Sequence, residues 1–391
     1  MTGIGAVTPL GLDAPSTWRA ALAGESGIGW ISTFDTDGLP VRVAGEVKGF
    51  DPAQVVSAKD ARKLERNVLL GVAAGREALA DAGLNGFDPT RVGVVFGSAI
   101  GGVPGLLEQA DTLRERGPDR VSPNFLQNVL VDSVSGQLAI SLGLKGPNYA
   151  VVSACATGSH AVGEAAEMIK RGAADAVLAG FTAMRGLAIE DESPPHASRP
   201  FDATRAGFVM AEGSGALLLE DWESAERRGA DIYAEVLGYG ASNDAHHMAQ
   251  PEPEATGVAL MMATALDRAG VERQRVGYIN AHGTSTPLGD VAETKAIKDV
   301  FGDHAYALAV SSTKSMTGHT FGAAGAIEAI MCVLALHDGK LPPTINYREP
   351  DPDCDLDYVP NESRDVRVDV ALSNAMGLGG HNGCVLLGRA A

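Results

Sequence analysis

The feature that most constrains this chain is an alternation of short apolar runs, bounded by glycine, with longer stretches of helical character. The alternation is played through twice. In the first half, Arg91–Ser98 (RVGVVFGS), Tyr149–Ser153 (YAVVS) and Ala174–Ala179 (ADAVLA) predict strands. Gly163–Arg171 places Ala165, Ala166 and Ile169 on one face and predicts a buried helix. In the second half, Tyr233–Tyr239 and Val276–Asn280 predict strands, and Thr256–Ala269 and Gly325–His337 predict helices. Ala371–Asn374 with Cys384–Leu387 predicts a closing hairpin. Strands that alternate with helices pair in parallel through crossover connections. The repeated pattern therefore predicts a layered α/β protein of two duplicated halves in one domain spanning 1–391. The halves run 1–222 and 230–391, joined across Leu219–Asp231, where Trp222–Gly229 is charged and helix-like. The 48 glycines, with only 5% aromatic residues, suit close packing of helices on sheets.

Charge and cysteine usage narrow the function. With 49 acidic against 31 basic residues the formal net charge is −18, which repels nucleic acid, and no Lys/Arg run offsets it. No apolar stretch is long enough to span a bilayer. Met1–Leu10 lacks a basic segment followed by an apolar one, so the reading is a cytoplasmic protein with no membrane contact. The cysteines at 155, 332, 354 and 384 form no CxxC pair, which argues against zinc ligation and a disulfide framework.

Cys155 lies in VVSACATGSHAVGEA, between an apolar run and a small-residue helix. A thiol at a helix N-terminus faces unpaired N–H groups, so its pKa is expected to fall, and the thiolate is the nucleophile. Backbone N–H groups at such a turn can hold an oxyanion. On this segment alone, nucleophile and small core residue fit equally well. Cys332 and Cys384 sit in apolar segments, and Cys354 sits in an acidic loop that opposes ionisation. His282 and His319 each follow an apolar strand in a polar segment, where α/β folds build their sites. Either imidazole can donate to a developing enolate oxygen near neutral pH. Lys314 can add positive charge, and Glu328 can pair with it or orient a histidine. Taken singly, each of these four also suits an ordinary structural role. The adjacent His246 and His247 have diverging side chains and make no joint metal site. Met376–Gly383 (MGLGGHNG) lacks the lysine-serine ending of a phosphate loop and reads as a turn whose N–H groups face the site.

Taken together, SACATGSH, NAHGTSTPLGD, SSTKSMTGHTFGAAGAIE and SNAMGLGGHNG, in that order, resemble the β-ketoacyl-[acyl-carrier-protein] synthases, in particular their elongating type II branch. The resemblance covers nearly the whole chain. It implies a thiolase-like fold of five α-β-α-β-α layers, a homodimer, and a decarboxylating Claisen condensation. It also implies acyl- and malonyl-loaded carrier protein as partner. Cys155 would accept the acyl chain, and His282 and His319 would promote decarboxylation. Lys314 and Glu328 would support them, and the N–H groups of Cys155 and Leu378 would form the oxyanion hole. Thr284 and Thr286 match positions that bind the pantetheine arm, while Phe208, Leu106 and Leu378 match positions near the acyl pocket. No cofactor is required, although Asn280, Glu328, Ser373 and Asn374 fall where some relatives hold a structural Na⁺ or K⁺.

The chain departs from the family pattern at Gly3, which usually has a few residues before it, and after Ala183, where about a dozen residues are missing. It departs again at Leu378, where an aromatic gate is usual, and at His381, read as structural. Polyketide ketosynthase is the alternative within this chemistry, and a non-catalytic carrier-binding partner is the alternative outside it. Thiolase fits less well, since there is no second cysteine near the last glycine turn. Arg62, Lys63 and Arg66, read on one helix (AKDARKLERN), are the candidate basic patch for an acidic carrier protein.

Overall fold

The computed structural model describes residues 1–83, 87–183 and 193–390. The first sheet is built from β1 (Gly3–Val7), β2 (Val92–Ser98), β3 (Asn148–Tyr149), β4 (Ala176–Ala183) and β5 (Gly213–Glu220), in the order β1-β5-β4-β2-β3. The second contains β6 (Ala234–Asn243), β7 (Val276–Asn280), β8 (Ala309–Ser311), β9 (Val370–Gly377) and β10 (His381–Arg389), in the order β8-β7-β9-β10-β6. Counted from the first strand of each half, both orders are 1-5-4-2-3. The directions agree as well: the fifth strand is antiparallel to the first and fourth, and the second is parallel to the fourth and third. The duplication expected from sequence pattern is therefore a duplication of topology.

Strand alternation sorts the side chains into layers. On one face of the first sheet, Val94, Phe96, Leu178 and Leu218 pack with α1 (Arg66–Asp81) and α2 (Ser133–Leu142). On the other face, Val95, Val177, Phe181 and Leu217 pack toward the centre, where α3 (Thr157–Lys170) lies. The outward face of the second sheet presents Ile279, Val310, Leu372 and Leu386 to α4 (Thr256–Ala269) and α5 (Pro287–Phe301). Its inward face presents Tyr278, Ala371, Val385 and Leu387 to α6 (Gly322–Asp338). Five layers result, with α3 and α6 between the sheets. Every residue from Gly322 to Leu336 is buried, as a helix enclosed on all sides requires.

The two central helices touch through backbone. A Cβ on Gly158 would lie 2.5 Å from the Ala326 nitrogen and 2.6 Å from the Gly322 oxygen, and one on Gly325 would lie 2.5 Å from the Ser159 nitrogen. These glycines exist to let the helices cross.

Most expected elements agree with the structure, and β7 and α4 match to the residue. The run Tyr149–Ser153 is the exception, because only Asn148 and Tyr149 pair and the chain then leaves the sheet. The expected single helix over AKDARKLERN is also broken, into a short turn at Ala58–Ala61 and the start of α1 at Arg66. The stretch after Ala183 lies outside the described residues. No helix among those described is long and apolar enough to cross a membrane.

Gly158→Ala tests the crossing. Alanine is the better helix former by about 1 kcal/mol, but overpacking costs about 1–3 kcal/mol. A lowered urea midpoint is expected, and an unchanged or raised one would show that the helices can part without penalty.

Candidate active site

After β3 the chain runs to Ser153 and reverses at Ala154, whose φ of +50° is in the left-handed region. That conformation costs a non-glycine residue about 1–2 kcal/mol. It starts a short turn, Ala154–Ala156, that feeds α3 and sets Cys155 at the helix N-terminus. Opposite lies the β9–β10 turn, which approaches closely because residue 377 is glycine. A Cβ there would lie 2.8 Å from the Ser153 oxygen and 3.1 Å from the Cys155 nitrogen. The backbone N–H groups of Leu378 and of Cys155 itself both face the thiol.

The expected fall in the Cys155 pKa is corrected. Only 6% of the residue is exposed, and burial pushes the thiol up to about 11 against the two N–H groups and Lys314. A rise of that size is worth roughly 3 kcal/mol, whereas a helix N-terminus contributes about 0.3–1 kcal/mol. Desolvation wins, and Cys155 rests as a thiol. Burial likewise raises Cys332, Cys354 and Cys384.

His282 and His319 come from the ends of two adjacent parallel strands. His282 follows β7, and Glu293 on α5 grips its turn by accepting the His282 and Gly283 N–H groups at 2.8 Å each. His319 follows β8 and is tied to the first half by its N–H, which donates to the Val209 carbonyl, ahead of β5, at 2.6 Å. The imidazoles meet edge to face with centroids 5.4 Å apart. Phe321 stacks on His319 at 5.1 Å, and Phe208 meets its edge at 5.5 Å. Burial, helped by Lys314, holds both imidazoles well below the usual histidine range, so both are neutral at pH 7. Lys314 is ion-paired with Glu328, and both are almost fully buried. Burial raises the Glu328 carboxyl while Lys314 opposes the rise.

The thiol and the two imidazoles border one cavity of about 320 Å³, and Lys314 and Glu328 lie outside its lining. Cys155, His282, His319, Phe208, Thr284, Thr286 and Leu378 all line it. The Thr284 and Thr286 hydroxyls are 3.1 Å apart. Leu106 does not belong there: it is 44% exposed on the helix Val103–Arg116, outside the cavity lining. Sequence reasoning missed Phe321 and the loop from Asp244 to Pro251, which forms a wall. The polar, proline-containing stretch SNDAHHMAQPEPE between a strand and a helix is the signal that could have found that loop. His381 begins β10 and packs against Gly379.

All four residues matched to a cation site carry a buried oxygen without a hydrogen-bond partner among the described residues: Asn280 Oδ1, Glu328 Oε2, Ser373 Oγ and Asn374 Oδ1. Asn280 and Ser373 are register partners on β7 and β9. The Asn374 amide donates to Glu293 at 3.2 Å and to the Met262 sulfur. The basic patch is corrected too: Arg66 turns inward onto Glu212 and the Val47 carbonyl, and Lys63 pairs with Asp60. Of the three, Arg62 is left exposed.

Two sheets of one topology around paired helices, with a thiol and two neutral imidazoles at their strand ends, define a thiolase-like fold. The chain belongs to the β-ketoacyl synthase family. Sequence models of the Beta-ketoacyl synthase N-terminal and C-terminal domains match residues 1–225 and 233–348. It is 47% identical to the 3-oxoacyl-[acyl-carrier-protein] synthase 2 of Coxiella burnetii, over 100% of this chain and 98% of the relative. Among solved structures it is similar to the ishigamide ketosynthase/chain length factor, with a TM-score of 0.92, 35% identity, and 100% and 98% of the two chains covered. It is also similar to a ketosynthase in complex with its type II polyketide acyl-carrier protein, with a TM-score of 0.91, 32% identity and the same coverage.

The buried thiol makes a kinetic prediction. Alkylation of Cys155 by iodoacetamide is expected to accelerate about tenfold per pH unit above neutrality, because the thiolate is the reactive form. No plateau is expected until the pH approaches the thiol pKa of about 11. A plateau near pH 7 would mean that the N–H groups and Lys314 outweigh burial.

Proposed function

We propose that this chain is an elongating β-ketoacyl-[acyl-carrier-protein] synthase that condenses an acyl primer with malonyl carrier protein. The observation that carries the reading is one cavity bordered by a buried thiol, two N–H groups aimed at it, and two neutral imidazoles. In the first stage the Cys155 sulfur attacks the acyl thioester, and its proton passes to the departing carrier sulfur. The N–H groups of Cys155 and Leu378 hold the oxyanion. The carrier thiol leaves, and the acyl group is now on Cys155.

In the second stage malonyl carrier protein, its pantetheine arm against Thr284 and Thr286, loses CO₂. The electron pair of the broken bond becomes an enolate, whose oxygen accepts hydrogen bonds from His282 and His319. Neutral imidazoles suit this work, since each offers an N–H without carrying a charge into the buried site. The enolate carbon attacks acyl-Cys155, expels the thiolate, and yields 3-oxoacyl carrier protein. A proton from solvent restores the thiol. Lys314, compensated by Glu328, keeps the imidazoles neutral and favours the anionic intermediate.

Identity of 47% to a 3-oxoacyl-[acyl-carrier-protein] synthase 2, against 32% to the type II polyketide ketosynthase, favours fatty-acid elongation over polyketide assembly. The intact thiol and imidazoles argue against a non-catalytic partner. No cofactor enters the chemistry. A structural Na⁺ or K⁺ fits Asn280, Glu328, Ser373 and Asn374, whose orphaned oxygens are hard ligands. We place the reaction in the cytoplasm, where a catalytic thiol stays reduced. A second copy would cover the exposed Ile100, Ile140 and Val152, which lie around the edge strand β3.

The test is a condensation assay with malonyl carrier protein and a chain-length series of acyl carrier proteins. Wild type is expected to form 3-oxoacyl product, and Cys155→Ala to lose condensation by at least about 10³-fold. His282→Ala and His319→Ala are expected to lose about 10²–10⁴-fold. Absence of product with every primer would remove the proposal. For the cation, exchange of K⁺ or Na⁺ for tetramethylammonium is expected to lower the melting temperature of wild type but not of Ser373→Ala. Equal shifts in both would remove that site.

A further inference from the structure

His160 lies outside the cavity, yet it joins the nucleophile turn to the strand that carries the opposite wall. It is on the first turns of α3, with Nδ1 2.6 Å from Ser153 Oγ and Nε2 3.1 Å from the Asn382 carbonyl on β10. A carbonyl can only accept, so Nε2 carries the proton and Nδ1 of the neutral ring accepts from the Ser153 hydroxyl. Burial lowers the pKa of this imidazole, which favours that neutral form. The Asn382 side chain in turn donates to Asp244, a cavity-lining residue, at 2.6 Å. A chain of hydrogen bonds thus runs from the cavity wall through Asn382 and His160 to Ser153, two residues before Cys155.

The fold makes room for this bridge. A Cβ on Gly383 would lie 2.7 Å from the His160 Cδ2 and 2.8 Å from its Nε2, so only glycine admits the ring there. Tyr239 closes the other side, edge to face at 6.0 Å. The bridge also acts where it is needed. Ala154, between Ser153 and Cys155, holds a strained left-handed φ, and such strain persists only where surrounding contacts over-determine it. The backbone N–H of Ser153 bonds to Thr157 Oγ1 and its carbonyl accepts from the Ala156 N–H, both within the turn. The hydroxyl carries a hydrogen bond from this turn, through His160, to β10.

We propose that His160 is a positioning residue for Cys155: through Ser153 it fixes the strained turn that aims the sulfur at the N–H groups of the oxyanion hole. This rests on Cys155 being the acylated nucleophile. Released from the bridge, the turn relaxes and the sulfur shifts relative to Leu378, and displacement of about 1 Å costs on the order of 10²-fold in rate.

The experiment follows single-turnover transfer of the acyl group from acyl carrier protein to Cys155, read by mass spectrometry of the quenched enzyme. The variants are Ser153→Ala, His160→Gln, His160→Asn and the double variant Ser153→Ala/His160→Gln. Glutamine puts its amide where Nε2 was and loses the serine, whereas asparagine puts its amide where Nδ1 was and keeps it. Ser153→Ala and His160→Gln are expected to slow acylation by about tenfold or more, with the KM for acyl carrier protein unchanged, and His160→Asn to recover most of the rate. The double variant is expected to be no slower than the slower single one, because both remove the same hydrogen bond. Wild-type rates in Ser153→Ala, or multiplicative losses in the double variant, would overturn the proposal. If the His160 variants fail to fold, Ser153→Ala decides alone, since it deletes a single hydroxyl. A wild-type enzyme that forms no acyl-Cys155 with any primer would overturn the functional reading itself.

Discussion

The backbone contact between α3 and α6 is the constraint on which the other parts depend. Gly158 lies against Gly322 and Ala326, and Gly325 lies against Ser159, so the two helices fill the space between the sheets as one thin layer. Thr157 opens α3 directly after the Cys155 turn, and Gly322 opens α6 three residues after His319. Bringing these two helix starts together is what brings thiol and imidazole to one cavity. A larger side chain at the crossing would separate the sheets, and with them the reacting groups, before it disturbed any residue of the site.

The same close packing sets the electrostatics. Burial holds the Cys155 thiol protonated and both imidazoles neutral, and it raises the carboxyl of Glu328. Apart from the Lys314–Glu328 pair, the reacting groups at rest are uncharged. Charge in such a site appears chiefly as the reaction proceeds, on a thioester oxygen, where fixed N–H donors already point. In a medium of low effective dielectric those donors are worth far more than in water. Lys314 suppresses protonation of both imidazoles, and in the proposed reaction it would also oppose the charge of a developing enolate.

What could be read from the sequence was what depends on neighbours along the chain. The period of VGYIN and the amphipathic run Thr256–Ala269 gave β7 and α4 to the residue, because each element is patterned by its own burial. The Tyr149–Ser153 run misled because the same apolar residues that suit a strand are here spent on leaving the sheet toward the turn at Ala154. Arg66 misled because its partner, Glu212, is far away in sequence. The Cys155 pKa was misjudged for the same reason. The helix N-terminus that lowers it is local, whereas the burial that raises it is tertiary.

The duplicated topology also explains why the site is asymmetric. Cys155 and His319 occupy equivalent places, each between the third strand of its half and a central helix. The pseudo-symmetry therefore delivers two facing positions, of which one carries the nucleophile and the other an imidazole. The second half adds His282 at the end of its second strand and the Leu378 N–H at the end of its fourth. The second strand of the first half ends instead at Ser98, and the turn after it, Ala99–Gly102, carries no titratable side chain and has Gly101 at a positive φ. In the proposed reaction one half thus supplies the atom that is acylated, and the other supplies most of the groups that answer the charge. Such a division lets each half keep the packing rules of the shared fold, because no single strand end must hold both a nucleophile and its electrostatic partners.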